Sequence, residues 1–260
     1  MLFRSTIDEH SGYIVIGSSS WIAGASKAPV FDAQMQTFNW VALDPTFYSP
    51  CGTMQAAGYS VSWLRRTLCQ IDQRDAEAEG ESVYELMNRR IAASPPGANG
   101  AMFLPYLLGE RSPRWNSDAR AAFLGLTMTS TRDDMMRAVL EGVGFNLRVI
   151  LESISAHQPI GKIKAIGGGA TNRVWLQILA DIWQKPIEVM QFLEEATSMG
   201  AAVCAGVGIG AFSGFDKIHE LNPSVGLITP NPQNALRYDR GYALFNRLYA
   251  ALEPLFPEFR

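Results

Sequence analysis

The segment from Ile163 to Met190 constrains the fold more than any other part of the chain. A short apolar run at 163–166 meets Gly167-Gly168-Gly169-Ala170, and an amphipathic stretch follows as far as Trp183. Val174, Trp175, Ile178, Leu179 and Ile182 recur at helical spacing and share one face. Lys185-Pro186 ends the helix, because proline lacks the amide that a helix interior needs. Residues 187–190 then form a second apolar run. Strand, glycine turn, helix and strand make an α/β unit in which the helix covers a sheet.

Upstream, residues 13–16 (YIVI) end at Gly17. The polar trio Ser18-Ser19-Ser20 and then Trp21-Ile22-Ala23 follow, which predicts a β-hairpin with a polar tip. Residues 38–43 are a third strand candidate, closed by the turn chemistry of Asp44-Pro45. Residues 54–70 and 83–93 are expected to be helical, with Pro95-Pro96-Gly97 stopping the second. The charged stretch 72–82 between them reads as a solvated loop or a helix end. From Arg132 to about Ser155, Met136, Leu140, Val143, Leu147, Ile150 and Ile154 place one apolar stripe on a long helix. Thr131 with Asp134 makes a capping pair at its start. Residues 195–212, dense in Ala and Gly, predict a helix that permits close backbone approach. Residues 234–252 predict a last helix with Tyr242, Phe245, Tyr249 and Leu252 inward. The order fits a single α/β domain.

Composition narrows the function classes. The chain of 260 residues is 47% hydrophobic and 18% charged, enough for a substantial core. No apolar run reaches the ~18 residues that a membrane span needs, and the opening MLFRSTIDEHSGY does not read as a secretion signal. The three cysteines, Cys51, Cys69 and Cys204, are scattered without metal-ligand spacing, which fits a reduced, cytoplasmic setting. A net charge of −3 with no basic concentration makes nucleic acid an unexpected partner. His10, His157 and His219 sit in loop-like contexts and form no Ser/His/Asp pattern.

Two glycine turns carry candidate binding chemistry. In Ile16-Gly17-Ser18-Ser19-Ser20-Trp21, glycine lets the backbone turn sharply, and exposed N–H groups with a hydroxyl can hold phosphate oxygens. The same residues also suit a plain hairpin turn in which serines satisfy local backbone groups. In residues 166–175 the glycines and the following helix N-terminus offer free N–H donors, or simply a tight strand-to-helix turn. The G-x-G-x-x-G spacing of a dinucleotide fold is absent.

Together with residues 121–141 (AAFLGLTMTSTRDDMMRAVLE), these stretches resemble the C-terminal domain of FGGY carbohydrate kinases, in the actin-like ATPase superfamily. The resemblance runs from about residue 12 to 212. Residues 103–113 (FLPYLLGERSP) are similar to a family loop that borders the nucleotide cleft. Glu195, Gly200, Ala201 and Ala202 match a helix packed behind the adenosine turn.

The resemblance implies a ribonuclease H-like α/β fold with a mixed sheet flanked by helices, residues 1–260 being one C-terminal domain. It implies ATP with Mg2+ as the phosphoryl donor. It implies nucleotide contacts from Ser18, Ser19, Gly109, Gly168, Gly169, Asn172 and Arg173. Trp175 is expected to anchor the core. Glu141 has two readings, a partner for a nearby base or part of a solvated face. Arg111 is expected either to pair with Glu110 or a neighbour, or to stabilise its loop.

No catalytic or metal-binding residue is assigned, since the family's catalytic Asp belongs to an N-terminal half that this chain does not carry. Asp8 reads as a turn residue before the first strand. Asp133-Asp134 and Glu194-Glu195 begin helices, where acids suit the dipole. The run Gly52–Gly58 with Trp63-Leu64-Arg65 resembles xylulose kinases, so a pentulose is the expected sugar. Gluconate, ribulose, rhamnulose and glycerol stay open, as does a non-catalytic nucleotide-binding module. A homodimer or pairing with an N-terminal half is the expected assembly.

Overall fold

The computed structural model describes residues 10–42 and 44–259. Asp8 lies outside them.

Strand β1 (Ser11–Ile16) turns back through Gly17 into β2 (Ser20–Gly24), with Ile16 opposite Ser20. The hairpin is the one its alternation predicts, polar at the tip and buried along both strands. Strands β3 (Phe38–Val41) and β4 (Tyr48–Met54) follow. The sequence reading missed β4, whose proline, cysteine and glycine hide any alternation. Gly52 is needed there because a Cβ would stand 2.5 Å from Ile150 of the crossing helix. The expected helix at 54–70 therefore begins later, as α1 (Gly58–Leu68).

The charged stretch after it forms α2 (Gln70–Glu79), ended by Gly80 in the left-handed region at φ 68°. It is helical rather than a loop, and it buries one carboxylate, Asp72, with Ala76 one turn on. Asp72 is fully buried and pairs with Arg90 and Arg132. Helix α3 (Val83–Ala93) starts at Ser82, whose side chain accepts from the Tyr84 amide. Strands β5 (Met102–Leu104) and β6 (Ala122–Leu124) make a separate two-stranded hairpin.

Helix α4 (Arg132–His157) carries the capping box that Thr131 and Asp134 predict, each side chain meeting the other's backbone amide. The expected stripe is buried, but burial extends around most of the helix, to Val139, Phe145 and Leu151. Two glycines allow it. A Cβ on Gly142 would meet the Phe103 carbonyl oxygen at 2.2 Å, and one on Gly144 would meet Ile182 at 2.6 Å. Glu141 is buried rather than solvated. Its Oε1 accepts from Arg137 Nε at 2.7 Å, from Tyr238 OH at 2.9 Å and from the Gly97 amide at 2.9 Å.

Strand β7 (Lys162–Ile166), helix α5 (Arg173–Trp183) and strand β8 (Ile187–Met190) complete the predicted unit. Helix α6 (Ala196–Gly208) stops short of the expected 212. The chain doubles back so that the Phe212 amide bonds to the Gly206 carbonyl and its ring covers that glycine. Helix α7 (Lys217–Leu221), which holds His219, and edge strand β9 (Ser224–Ile228) had no periodic signal. His157 likewise closes α4 rather than sitting in a loop. Helix α8 (Ala235–Leu252) buries Tyr238, Phe245 and Tyr249.

The main sheet has the order β3-β4-β2-β1-β7-β8-β9. β1, β7 and β8 are parallel, while β2, β4, β3 and β9 join antiparallel to their neighbours. The sheet is mixed and flanked by helices, as expected. Among the described residues, no helix is long and apolar enough to cross a membrane.

Candidate functional site

β1 and β7 lie side by side and run the same way, with Val15 opposite Ile166. Their C-terminal ends therefore release two glycine turns next to each other. Ligands of open α/β sheets collect in this position, outside the carboxyl ends of the strands. A cavity of about 610 Å3 opens there.

Four segments wall it. Ile16, Gly17 and Ser18 come from the hairpin turn, and Gly58, Val61 and Ser62 from the start of α1. Ser82, Tyr84, Glu85 and Asn88 come from the start of α3. Gly168, Gly169, Thr171, Asn172 and Trp175 come from the second turn and α5.

Each turn is held by backbone bonds. Gly17 N donates to Ser19 O at 3.0 Å, closing the hairpin. Gly58 N then donates to Gly17 O at 3.0 Å and Tyr59 N to Ser18 O at 2.9 Å. Gly58 must be glycine, since a Cβ would stand 2.4 Å from Gly17 O. In the second turn Gly167 has φ 90°, and a Cβ there would press on Ile16 O at 2.7 Å. Gly169 has its own constraint, a Cβ falling 2.3 Å from Ile16 Cγ2. Gly168 is the roomier position, its nearest neighbour being Glu194 Oε1 at 3.4 Å.

Asn172 caps α5, its Oδ1 accepting from the Trp175 amide at 3.0 Å. Its Nδ2 donates to Asn88 Oδ1 at 2.8 Å and so joins α5 to α3. Trp175 is 3% exposed, as a core anchor should be, yet it also lines the cavity. Its indole Nε1 has no hydrogen-bond partner among the described residues.

Of the residues singled out in the sequence, Ser18, Gly168, Gly169 and Asn172 meet on this cavity. Ser19, Gly109 and Arg173 stand outside its lining. Ser19 is exposed at the hairpin tip. Gly109 has φ 67° and packs so that a Cβ would meet Ser117 O at 2.6 Å. Arg173 is the exposed first residue of α5, with its Nη1 near Gly226 of β9. The walls from α1 and α3 were not foreseen. The only local signal was the Ser82 cap, which marks a helix start but not what that start faces.

Beside the end of β4 sits a buried carboxylate. Glu110 Oε1 accepts from the Gln55 and Arg111 amides, both at 2.9 Å, and Oε2 accepts from Asn146 Nδ2 at 2.9 Å. Burial pushes the Glu110 carboxyl up to about 7, against the opposing pull of these donors and of Arg114. Arg111 thus bonds Glu110 through its backbone amide, while its side chain is exposed.

Comparison with known proteins identifies the family. Residues 12–209 match the model of the C-terminal domain of the FGGY family of carbohydrate kinases. A xylulose kinase from Staphylococcus epidermidis is 34% identical over 253 residues, covering 96% of this chain and 48% of the relative. A gluconokinase from Bacillus licheniformis is 31% identical over 242 residues, covering 92% of this chain and 47% of the relative. The crystal structure of a ligand-bound xylulose kinase from Lactobacillus acidophilus superposes with a TM-score of 0.88 at 27% identity, covering 99% of this chain and 50% of that one. The chain spans about half the length of the curated relatives it matches. Its fold is the ribonuclease H-like fold of the actin-like ATPase superfamily. By sequence match and by architecture, this chain belongs to the FGGY family of carbohydrate kinases, as a C-terminal domain.

Proposed function

We propose that this chain is the nucleotide-binding half of an ATP-dependent carbohydrate kinase, which moves the γ-phosphoryl group of ATP to a sugar hydroxyl. The observation that carries this reading is the pair of glycine turns at the ends of two adjacent parallel strands, both open to one cavity. In this reading adenosine lies along Gly168, Gly169 and Asn172, where missing side chains permit close approach. The phosphates face Ser18 and Ser19, whose backbone and hydroxyls suit anionic oxygens. Gly109 and Arg173 are kept as candidates for contacts beyond the present lining.

Mg2+ would arrive on the phosphates. Among the described residues, no group of three or more His, Cys, Asp or Glu side chains gathers to hold a metal. Mg2+ typically keeps water and substrate phosphate oxygens among its ligands, so such a group is not required.

Phosphoryl transfer rests mainly on positioning and electrostatic stabilisation, with a group to orient the nucleophile. We assign that group, and most sugar contacts, to an N-terminal FGGY half, consistent with the half-length match to relatives. The exposed Phe31, Met35, Trp40 and Trp115 support an apolar contact with such a half or with a second copy. Three free cysteines support a cytoplasmic setting. The xylulose kinase relative supports a pentulose as the sugar. The gluconokinase relative, nearly as similar, supports gluconate as the second reading.

The test is ADP release with D-xylulose or D-gluconate, by the chain alone and after mixing with an FGGY N-terminal half. Turnover is expected only on mixing, because proximity and orientation alone can supply about 7–11 kcal/mol of barrier lowering. Steady turnover by the chain alone would overturn the reading. Nucleotide binding that never yields turnover with any supplied half would favour a non-catalytic module.

A further inference from the structure

We propose that Glu110 is a positioning residue for the phosphate-facing turn at Gly17 and Ser18, acting through the backbone of residues 55–59. The proposal rests on reading the cavity as a nucleotide site.

The connection is short and continuous. Gln55 follows the last residue of β4, and its amide is held by Glu110 Oε1 at 2.9 Å. Three residues later Gly58 N bonds Gly17 O, and Tyr59 N bonds Ser18 O. Between them Ala56 and Ala57 are fully buried, and the Ser60 hydroxyl returns a hydrogen bond to Ala56 O at 2.5 Å. The segment from Gln55 to Ser60 is thus a bracket, with one end pinned to a carboxylate and the other to the turn. Loop entropy cannot absorb a shift over so few residues, because packing and hydrogen bonds fix both ends. A displacement at Gln55 is therefore passed to Gly58.

The carboxylate is itself fixed. Its backbone pairs with Asn116 in both directions, at 2.8 and 2.9 Å. Its second oxygen is held by Asn146 of α4, whose Oδ1 accepts from Tyr106 OH at 3.1 Å. Arg114 approaches the same phenol at 3.4 Å and reaches α8 through Asn246 Oδ1 at 2.6 Å. A chain of buried and half-buried polar groups therefore ties the turn to α4 and α8. Glu110 is 4% exposed and is absent from the cavity lining, so it can act on a ligand only through the turn. A buried carboxylate is costly to keep unless its oxygens are bonded, and here both are, one of them to a backbone amide at the entrance to the bracket.

The geometry makes a selective demand. The hairpin turn faces phosphates, while the second turn faces adenosine. Loosening the bracket should therefore weaken ATP and leave adenosine alone. A merely structural role would lower both together.

The experiment is calorimetric titration of the full chain, wild type and Glu110→Gln, with MgATP and with adenosine, alongside thermal unfolding. The titration is run at about pH 8, above the value of about 7 for the Glu110 carboxyl, where glutamine keeps the shape and one acceptor oxygen but weakens a charge-assisted bond. We expect about tenfold weaker ATP binding with adenosine affinity unchanged. Hydrogen exchange should quicken at the Gly58 and Tyr59 amides. If Glu110→Gln does not fold, Asn146→Ala carries the same comparison, since it releases one carboxylate oxygen and keeps both amide bonds. Its expected loss is about threefold for ATP alone. Equal loss of ATP and adenosine, or unchanged ATP affinity in a folded variant, overturns the inference while leaving the nucleotide site standing. Failure of the wild-type chain to bind either ligand overturns both.

Discussion

Asn172 and Asn88 stand 84 positions apart and meet across one hydrogen bond of 2.8 Å, from Nδ2 of the first to Oδ1 of the second. The bond links the cap of α5 to the wall of α3, so the cavity is closed on that side by a side-chain latch rather than by packing alone. Replacing Asn88 with Ala removes the latch and leaves the cap intact. Nucleotide affinity should fall by about three- to tenfold, in line with about 0.5–1.5 kcal/mol for one such bond. Titration with ATP checks this, and chemical denaturation should show a stability loss of about 0.5–1.5 kcal/mol as well.

Trp175 separates core packing from ligand contact. Trp175→Phe keeps an aromatic ring in the buried position and removes the indole N–H that has no protein partner in the described residues. If a ligand acceptor takes that donor, adenosine and ATP should both weaken several-fold, with a stability change of about 1 kcal/mol. Equal ligand affinity in the variant would show that the indole serves packing only.

The glycines of the second turn should respond differently from one another. Gly169→Ala drives a methyl group into Ile16, so we expect about 1–3 kcal/mol of destabilisation in urea unfolding. Gly168→Ala has room for its methyl and should cost less than about 1 kcal/mol. Gly168→Trp should leave a folded chain that no longer binds ATP.

Much of this architecture could be read in the sequence, and the misses have physical reasons. The β1–β2 hairpin, α4 with its cap, and the β7–turn–α5–β8 unit all announce themselves through period and punctuation. β4 does not, because its seven residues include Pro50, Cys51 and Gly52, which break the strand signal, and of these Gly52 is required by the close passage of Ile150 on α4. α2 hides behind its charge, since the residues it buries are Asp72, a carboxylate where the periodic signal expects an apolar residue, and the small Ala76. Half of the cavity was visible because glycine turns after strands have local signatures. The other half was not. Nothing in Ser82, Tyr84, Glu85 and Asn88 says that their helix start faces a turn that lies more than 80 residues away in the chain.

Asp72 gives the largest expected stability effect. Asp72→Ala would leave Arg90 and Arg132 facing each other near a buried site without their shared partner. Both arginines remain about 30% exposed, so water softens the penalty. We expect about 3 kcal/mol, at the low end for breaking a buried pair. Chemical denaturation reads it directly.

Glu110 sets a pH dependence with a definite sign. Its carboxyl is raised to about 7 in the folded chain from the usual 4.5, so the folded state holds a proton that the unfolded state has released in between. That contribution to stability is fully present below about pH 4.5 and is lost as pH rises through about 7. The full span is on the order of 3 kcal/mol. Unfolding free energy of the wild type, taken relative to Glu110→Gln, should therefore fall across this window. A flat difference would show that the carboxyl titrates alike in both states.

The parallel pairing of β1 with β7 has one more consequence. The spacing of the two glycine turns is set by main-chain bonds between neighbouring strands, with Val15 opposite Ile166, and not by any side chain in the cavity. The wall contributed by α3 can therefore be rebuilt while that spacing stays fixed. For protein engineering, the strand pair and its two turns act as a fixed chassis, and a change of ligand preference is best sought in residues 82–88, whose side chains help line the cavity.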